Sequence, residues 1–83
     1  MGTLTVTVYS KPQCVQCDAT KRELRKRGTD FTEVDLTESD AALEYVTEDL
    51  GYAQAPVVVV EDGTGEAHWS GFRIDQIKRI AAL

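Results

Sequence analysis

Cys14 and Cys17 are the two cysteines of this 83-residue chain, and they stand three positions apart in the run Cys14-Val15-Gln16-Cys17. Several chemistries suit that spacing. Two thiols one helical turn apart can cycle between dithiol and disulfide. In that cycle the first attacks a substrate disulfide, a mixed disulfide forms, and the second resolves it. The same pair can ligate zinc, share an iron–sulfur cluster between two chains, or be two inert buried thiols. Zinc takes four ligands, and the only other soft one is His68, so a monomeric zinc site also needs a carboxylate. The redox reading needs only a device that turns one sulfur into a thiolate, the nucleophilic form.

A helix N-terminus is such a device, because its unpaired N–H groups and positive dipole end favour an anion. The residues around the motif predict one. Thr3 to Tyr9 alternates Thr with Leu4, Val6 and Val8, the period of a strand rich in β-branched residues. Ser10-Lys11-Pro12-Gln13 breaks it, since Pro12 cannot sit inside a continuing strand. From Cys14 to Arg27 good helix formers follow, with Cys17, Lys21, Leu24 and Gly28 near one face. Arg25-Lys26-Arg27 suit the last turn and Gly28 the cap. Cys14 therefore belongs at a helix start, where its thiol ionises below the free value of about 8.5. Lys11 is close enough in sequence to add positive charge, and Cys17 follows one turn behind.

Beyond the first helix, Asp30 to Leu36 reads as a strand. Thr37-Glu38-Ser39-Asp40 resembles a capping box with Asp in place of Glu or Gln, and the helix it starts runs to Leu50. Val57 to Val60, four consecutive valines, suits a strand buried on both faces. Ala55-Pro56 opens it, with either a trans proline at a permitted first position or a cis one that bends the backbone tightly. Glu61 to Glu66 is turn chemistry leading to a strand at Ala67-His68-Trp69, and Ile74, Ile77, Ile80 and Ala81 mark a last helix. The order is β-α-β-α-β-β-α. A crossover helix makes the first two strands parallel with a right-handed connection, and a hairpin makes the last two antiparallel. The expectation is an α/β, thioredoxin-like fold over residues 1–83, one domain with a mixed four-stranded sheet flanked by helices.

Composition narrows the function classes. A net charge of −5 opposes binding to a phosphate backbone, so no nucleic-acid partner is expected. No apolar run of membrane-spanning length occurs, and the start lacks the features of a signal peptide. It begins Met1-Gly2, but Val6 stands where myristoylation wants Ser or Thr, and the chain has no Asn to glycosylate. A cytoplasmic, monomeric protein without a membrane partner is the expectation. Lys21, Arg22, Arg25, Lys26 and Arg27 read either as a solvated helix face or as a patch for an acidic partner surface.

Tyr9-Ser10-Lys11-Pro12 leading into Cys14-Val15-Gln16-Cys17, then Gln54-Ala55-Pro56-Val57-Val58, then Trp69-Ser70-Gly71-Phe72-Arg73, resembles the glutaredoxin-like NrdH redoxins over essentially the whole chain. The resemblance implies a thioredoxin-type fold with Cys14 and Cys17 as catalytic residues and no bound cofactor or metal. By the same resemblance, electrons are expected to come from NADPH through thioredoxin reductase, a flavin enzyme, and to pass to the large subunit of a class Ib ribonucleotide reductase. It also implies that Pro56 is a cis-proline facing the cysteines and leaves the Ala55 backbone to pair with an incoming strand. Lys11, Val15, Gln16, Ala55, Pro56 and the stretch Trp69, Ser70, Gly71, Phe72 and Arg73 then form the partner-binding surface. Trp69 and Phe72 are expected to give it an apolar part, unless they are core, and Arg73 to fix the loop by hydrogen bonds. The family commonly continues with Pro after the Arg, where this chain has Ile74. A glutathione-dependent glutaredoxin is the neighbouring alternative. Lys11 suits a glutathione carboxylate, but Trp69 to Arg73 looks unlike the usual glutathione loop.

Overall fold

A computed structural model describes residues 4–83. The elements follow in the order β1 (Thr5–Ser10), α1 (Val15–Lys26), β2 (Thr32–Asp35), α2 (Asp40–Glu44), a π-helical turn (Tyr45–Asp49), β3 (Val57–Glu61), β4 (Glu66–Ser70) and α3 (Ile74–Ala81). Thr3 at the expected start of β1, and the Met1-Gly2 start, lie outside the described residues. The sheet runs β2-β1-β3-β4. β1 pairs in parallel with β2 and antiparallel with β3, and β3 pairs antiparallel with β4. This is the thioredoxin-like arrangement, and it puts the strand leading into the cysteines at the centre of the sheet.

Local chemistry explains most element ends. Gly28 stops α1 at φ 72°, a left-handed conformation that costs glycine little, with its N–H donating to the Arg25 carbonyl at 3.0 Å. The capping expectation at Thr37 is corrected. Asp35, at the end of β2, accepts from both the Thr37 N–H and hydroxyl, at 2.8 and 2.6 Å, and holds that residue in a turn. Ser39 caps the helix instead, its hydroxyl oxygen accepting from the Ala42 N–H at 3.1 Å. The helix then widens. The Thr47 hydroxyl donates to the Leu43 carbonyl at 2.8 Å, and the Leu50 N–H reaches back five residues to Tyr45. In the β3–β4 hairpin, Asp62 Oδ1 accepts from the Thr64 and Gly65 N–H groups, at 2.9 and 3.0 Å.

Alternation along the strands divides the core. Val6, Val8, Val58, Val60 and Trp69 meet Leu24 of α1 and Ile77 and Ile80 of α3 on one face. Val57 and Val59 meet Val46 on the other, with Tyr9, Leu36, Tyr45, Leu50 and Tyr52 packed around them. The buried positions of α1 are Cys17, Thr20 and Leu24. Lys21, expected on that stripe, lies half-buried at its border and reaches Glu33 of β2.

Candidate redox site

Cys14 is the N-cap of α1. Its backbone is extended, at φ −118° and ψ 106°, and the Cys17 N–H points at its sulfur from 3.1 Å. Sulfur thus holds the place that Ser, Thr or Asp oxygen usually takes at a helix start. The same N–H stabilises a negative sulfur more than a neutral one, with the helix dipole adding to it. Cys14 and Cys17 are disulfide-bonded, with Cα atoms 5.2 Å apart. Cys14 is 8% exposed and Cys17 fully buried, so an incoming reagent meets Cys14 first. The Ala55 carbonyl oxygen lies 3.9 Å from the Cys14 sulfur. A disulfide sulfur has no proton to donate there, whereas a thiol at position 14 does.

Two segments distant in sequence enclose the pair. Pro56, buried and joined to Ala55 by a cis peptide bond, stands at the head of β3. Its carbonyl accepts from the Gly71 N–H at 2.8 Å, which ties the segment to the loop between β4 and α3. Gln16 ties the same loop to α1, its Oε1 accepting from the Phe72 N–H at 3.1 Å. Gly71 is a required glycine: its φ is 81°, and a Cβ there sits 3.2 Å from Gln16 Oε1. Lys11, Val15, Gln16, Gln54 and Ala55 line, with Cys14, a shallow groove of about 340 Å³. Val15 is 83% exposed at its lip.

Trp69 and Phe72 part company. Trp69 is 4% exposed within the α1–α3 face, which makes it core, while Phe72 is 38% exposed beside the redox helix. The apolar surface expected of both is therefore offered by Phe72 alone. Arg73 does not hold the loop. Its guanidinium donates forward to Asp75 in the first turn of α3, at 3.1 and 2.9 Å, and Gln16 and Pro56 tether the loop in its place. The pairing draws the Asp75 carboxyl below its ordinary range. Ser70 is half-buried at the end of β4, paired in register with Val57. Ile74 takes the first helical position, 36% exposed.

A polar cluster next to the redox helix escaped the sequence reading. The buried Ser10 hydroxyl donates to Glu33 Oε2 at 2.7 Å, and the Lys21 ammonium donates to the same oxygen at 2.6 Å. Lys21 foremost, then Ser10, hold the Glu33 carboxyl below its usual value. The available signal was a Ser ending an apolar strand four residues before Cys14; its partner, on another strand, left no local mark. Among the described residues, no group of three His, Cys, Asp or Glu side chains is arranged to hold a metal.

The comparisons agree with this geometry. The glutaredoxin family model matches residues 6–64. The glutaredoxin-like protein NrdH of Escherichia coli strain K12 is 39% identical over 77 residues, covering 93% of this chain and 89% of that one. The Lactococcus lactis NrdH of strain MG1363 is 36% identical over 76 residues, 92% of this chain and 99% of that protein. The solved structure of the E. coli NrdH-redoxin, a glutaredoxin-like protein with a thioredoxin-like activity profile, superposes with a TM-score of 0.82 at 39% identity. That match covers 92% of this chain and 93% of the other.

Proposed function

Because the chain belongs to the glutaredoxin family, among its NrdH-type redoxins, we propose that its thiol–disulfide oxidoreductase activity carries electrons from thioredoxin reductase to the large subunit of a class Ib ribonucleotide reductase. The single observation that carries the chemistry is the Cys14 sulfur at the helix cap, with Cys17 buried behind it. In the reduced chain the Cys14 thiolate attacks one sulfur of the partner disulfide and expels the other as a thiolate, which takes up a proton. Cys17 loses its proton and attacks the Cys14 side of the mixed disulfide. The partner then leaves as a dithiol and the Cys14–Cys17 bond forms. Two electrons pass to the partner, and the reductase returns them from NADPH through its flavin, with no cofactor held by this chain.

Recognition is backbone-led. The partner segment lies along Ala55 and Pro56 as a short added strand, its cysteine against Cys14. Lys11, Val15 and Gln16 border it on one side, and Ser70, Gly71, Phe72 and Arg73 on the other, with Trp69 supporting that loop from the core. The thioredoxin-like activity profile of the E. coli relative supports thioredoxin reductase over glutathione as electron source. The reading places a monomeric protein in the cytoplasm. No helix among the described residues is long and apolar enough to cross a membrane.

The test supplies the oxidised chain with NADPH and thioredoxin reductase in one arm and with glutathione in the other, then adds the ribonucleotide reductase. Rapid reduction in the first arm, coupled to ribonucleotide turnover, is expected. Reduction by glutathione alone overturns the proposal. Zinc or iron bound stoichiometrically through both thiols, in protein purified without oxygen, overturns it as well.

A further inference from the structure

Ser10, Lys21 and Glu33 converge on one carboxylate oxygen, on the sheet face that carries the redox helix. Ser10 is 3% exposed and precedes Cys14 by four residues. The Lys21 side chain is 17% exposed, with its ammonium 2.6 Å from Glu33 Oε2 and 3.7 Å from Asp18 Oδ1. Lys21 follows Cys17 by four residues, so the two share a stripe of α1 one turn apart. Exposed ion pairs contribute little to stability. Here the lysine is half-buried while the Glu33 side chain is 40% exposed, and the lysine stands on the helix whose cap sulfur changes charge in every catalytic cycle.

We infer that Glu33 is a positioning residue that sets the redox balance of the Cys14–Cys17 pair, by deciding how much of the Lys21 charge the sulfurs feel. Reduction adds two electrons and breaks the S–S bond. Cys17 takes up one proton, and Cys14 remains a thiolate or takes up a second. New negative charge therefore appears only in the reduced form, and a nearby cation favours that form while an anion opposes it. Glu33 holds the ammonium toward β2 at 2.6 Å and opposes its charge. Asp18, Arg25 and Asp35 also act on this cluster, and they remain in every variant below. Glu33→Gln leaves Lys21 uncompensated. Lys21→Met leaves the Glu33 carboxylate with Ser10 alone. The two changes thus push the couple in opposite directions, each by about threefold to tenfold for a unit charge seven residues, roughly 10 Å, along the helix from the cap at intermediate dielectric.

The inference rests on the thiol–disulfide couple and not on which reductase or acceptor serves it, so neither outcome decides the other. The full chain and its variants are equilibrated with reduced and oxidised dithiothreitol at neutral pH, and the dithiol fraction is read by thiol alkylation and mass. Glu33→Gln is expected to raise the equilibrium constant for reduction threefold to tenfold and to let Cys14 ionise at lower pH. Lys21→Met is expected to do the reverse, and Lys21→Arg to stay within twofold of the parent. A purely structural role lowers the melting temperature without this opposition of sign. Shifts in the same direction, or none beyond twofold in folded variants, overturn the inference. If Glu33→Gln melts below the assay temperature, Lys21→Met carries the test alone, and an unchanged or raised constant overturns it.

Discussion

On the face that carries α1 and α3, Val6, Val8, Leu24, Val58, Val60, Trp69, Ile77 and Ile80 are each 4% exposed or less. On the opposite face Val46 and Val57 match that burial and Val59 is 7% exposed, and half-buried Tyr9, Leu36, Tyr45, Leu50 and Tyr52 fill in around them. The difference comes from the covering elements. α1 and α3 lay down 12 and 8 residues, whereas α2 has five before the π-helical turn widens it. Wider turns and phenolic rings pack less closely than interlocked aliphatic side chains. The closely packed face grips the helix whose cap holds the reacting sulfur. The looser face borders a second groove, lined by Leu36, Leu43, Val46 and Tyr52 and continuous with Lys11 and Ala55 beside the disulfide. The cap that fixes the sulfur geometry thus sits on the more fully buried face, and the proposed partner groove opens toward the less buried one.

The contrast is breakable by truncation. Ile77→Ala, emptying a fully buried site, is expected to cost about 3–4 kcal/mol, and Leu50→Ala on the looser face about 1–2 kcal/mol. Urea unfolding measures both, and equal losses contradict the difference in packing. Next in size is Thr20→Val. The Thr20 hydroxyl is buried without a hydrogen-bond partner, so replacing it by a methyl group is expected to stabilise the chain by about 1 kcal/mol, read as a higher urea midpoint.

Titration should separate the faces by sign. Glu33, on the α1 side, has its folded value lowered by Lys21 and Ser10. Its contribution is complete above the unfolded value of 4.5 and is lost as pH falls through the lower folded one. Tyr9 and Tyr45, on the other side, are raised above 10.0, chiefly by burial and then by the charge of Glu66. Their contribution is complete below 10.0 and is lost as pH rises through the higher folded values. Glu33→Gln should therefore flatten the acid limb of the stability profile and leave the alkaline limb alone, and Tyr45→Phe the reverse. The smallest effect expected is from Tyr52→Phe. It removes the exposed bond of 2.7 Å between the Tyr52 hydroxyl and His68 Nδ1 and should lower stability by about 0.5 kcal/mol, a shift of about 2–4 °C in melting temperature.

What residues within one turn or one hairpin impose on each other was open to reading from the chain alone. Period-two valines and threonines marked β1, the run of valines marked β3, and Gly28 marked the end of α1. The Cys-Val-Gln-Cys spacing at a strand–helix junction placed the sulfur at the cap. Thr37 misled because two capping patterns overlap within four residues, and Asp35 claimed the first. Long-range choices left no such trace. Ser10 meets Glu33 across 23 positions, Cys14 approaches the Ala55 carbonyl across 41, and Gln16 reaches the Phe72 N–H across 56. Which of two neighbouring aromatic residues turned inward, Trp69 rather than Phe72, depended on β4 lying at the sheet edge in register with Val58. Local propensity acts through backbone torsions and nearest neighbours, so a short window of residues contains it. Partners across the site exist only once the strand order β2-β1-β3-β4 has brought distant segments to one end of the sheet.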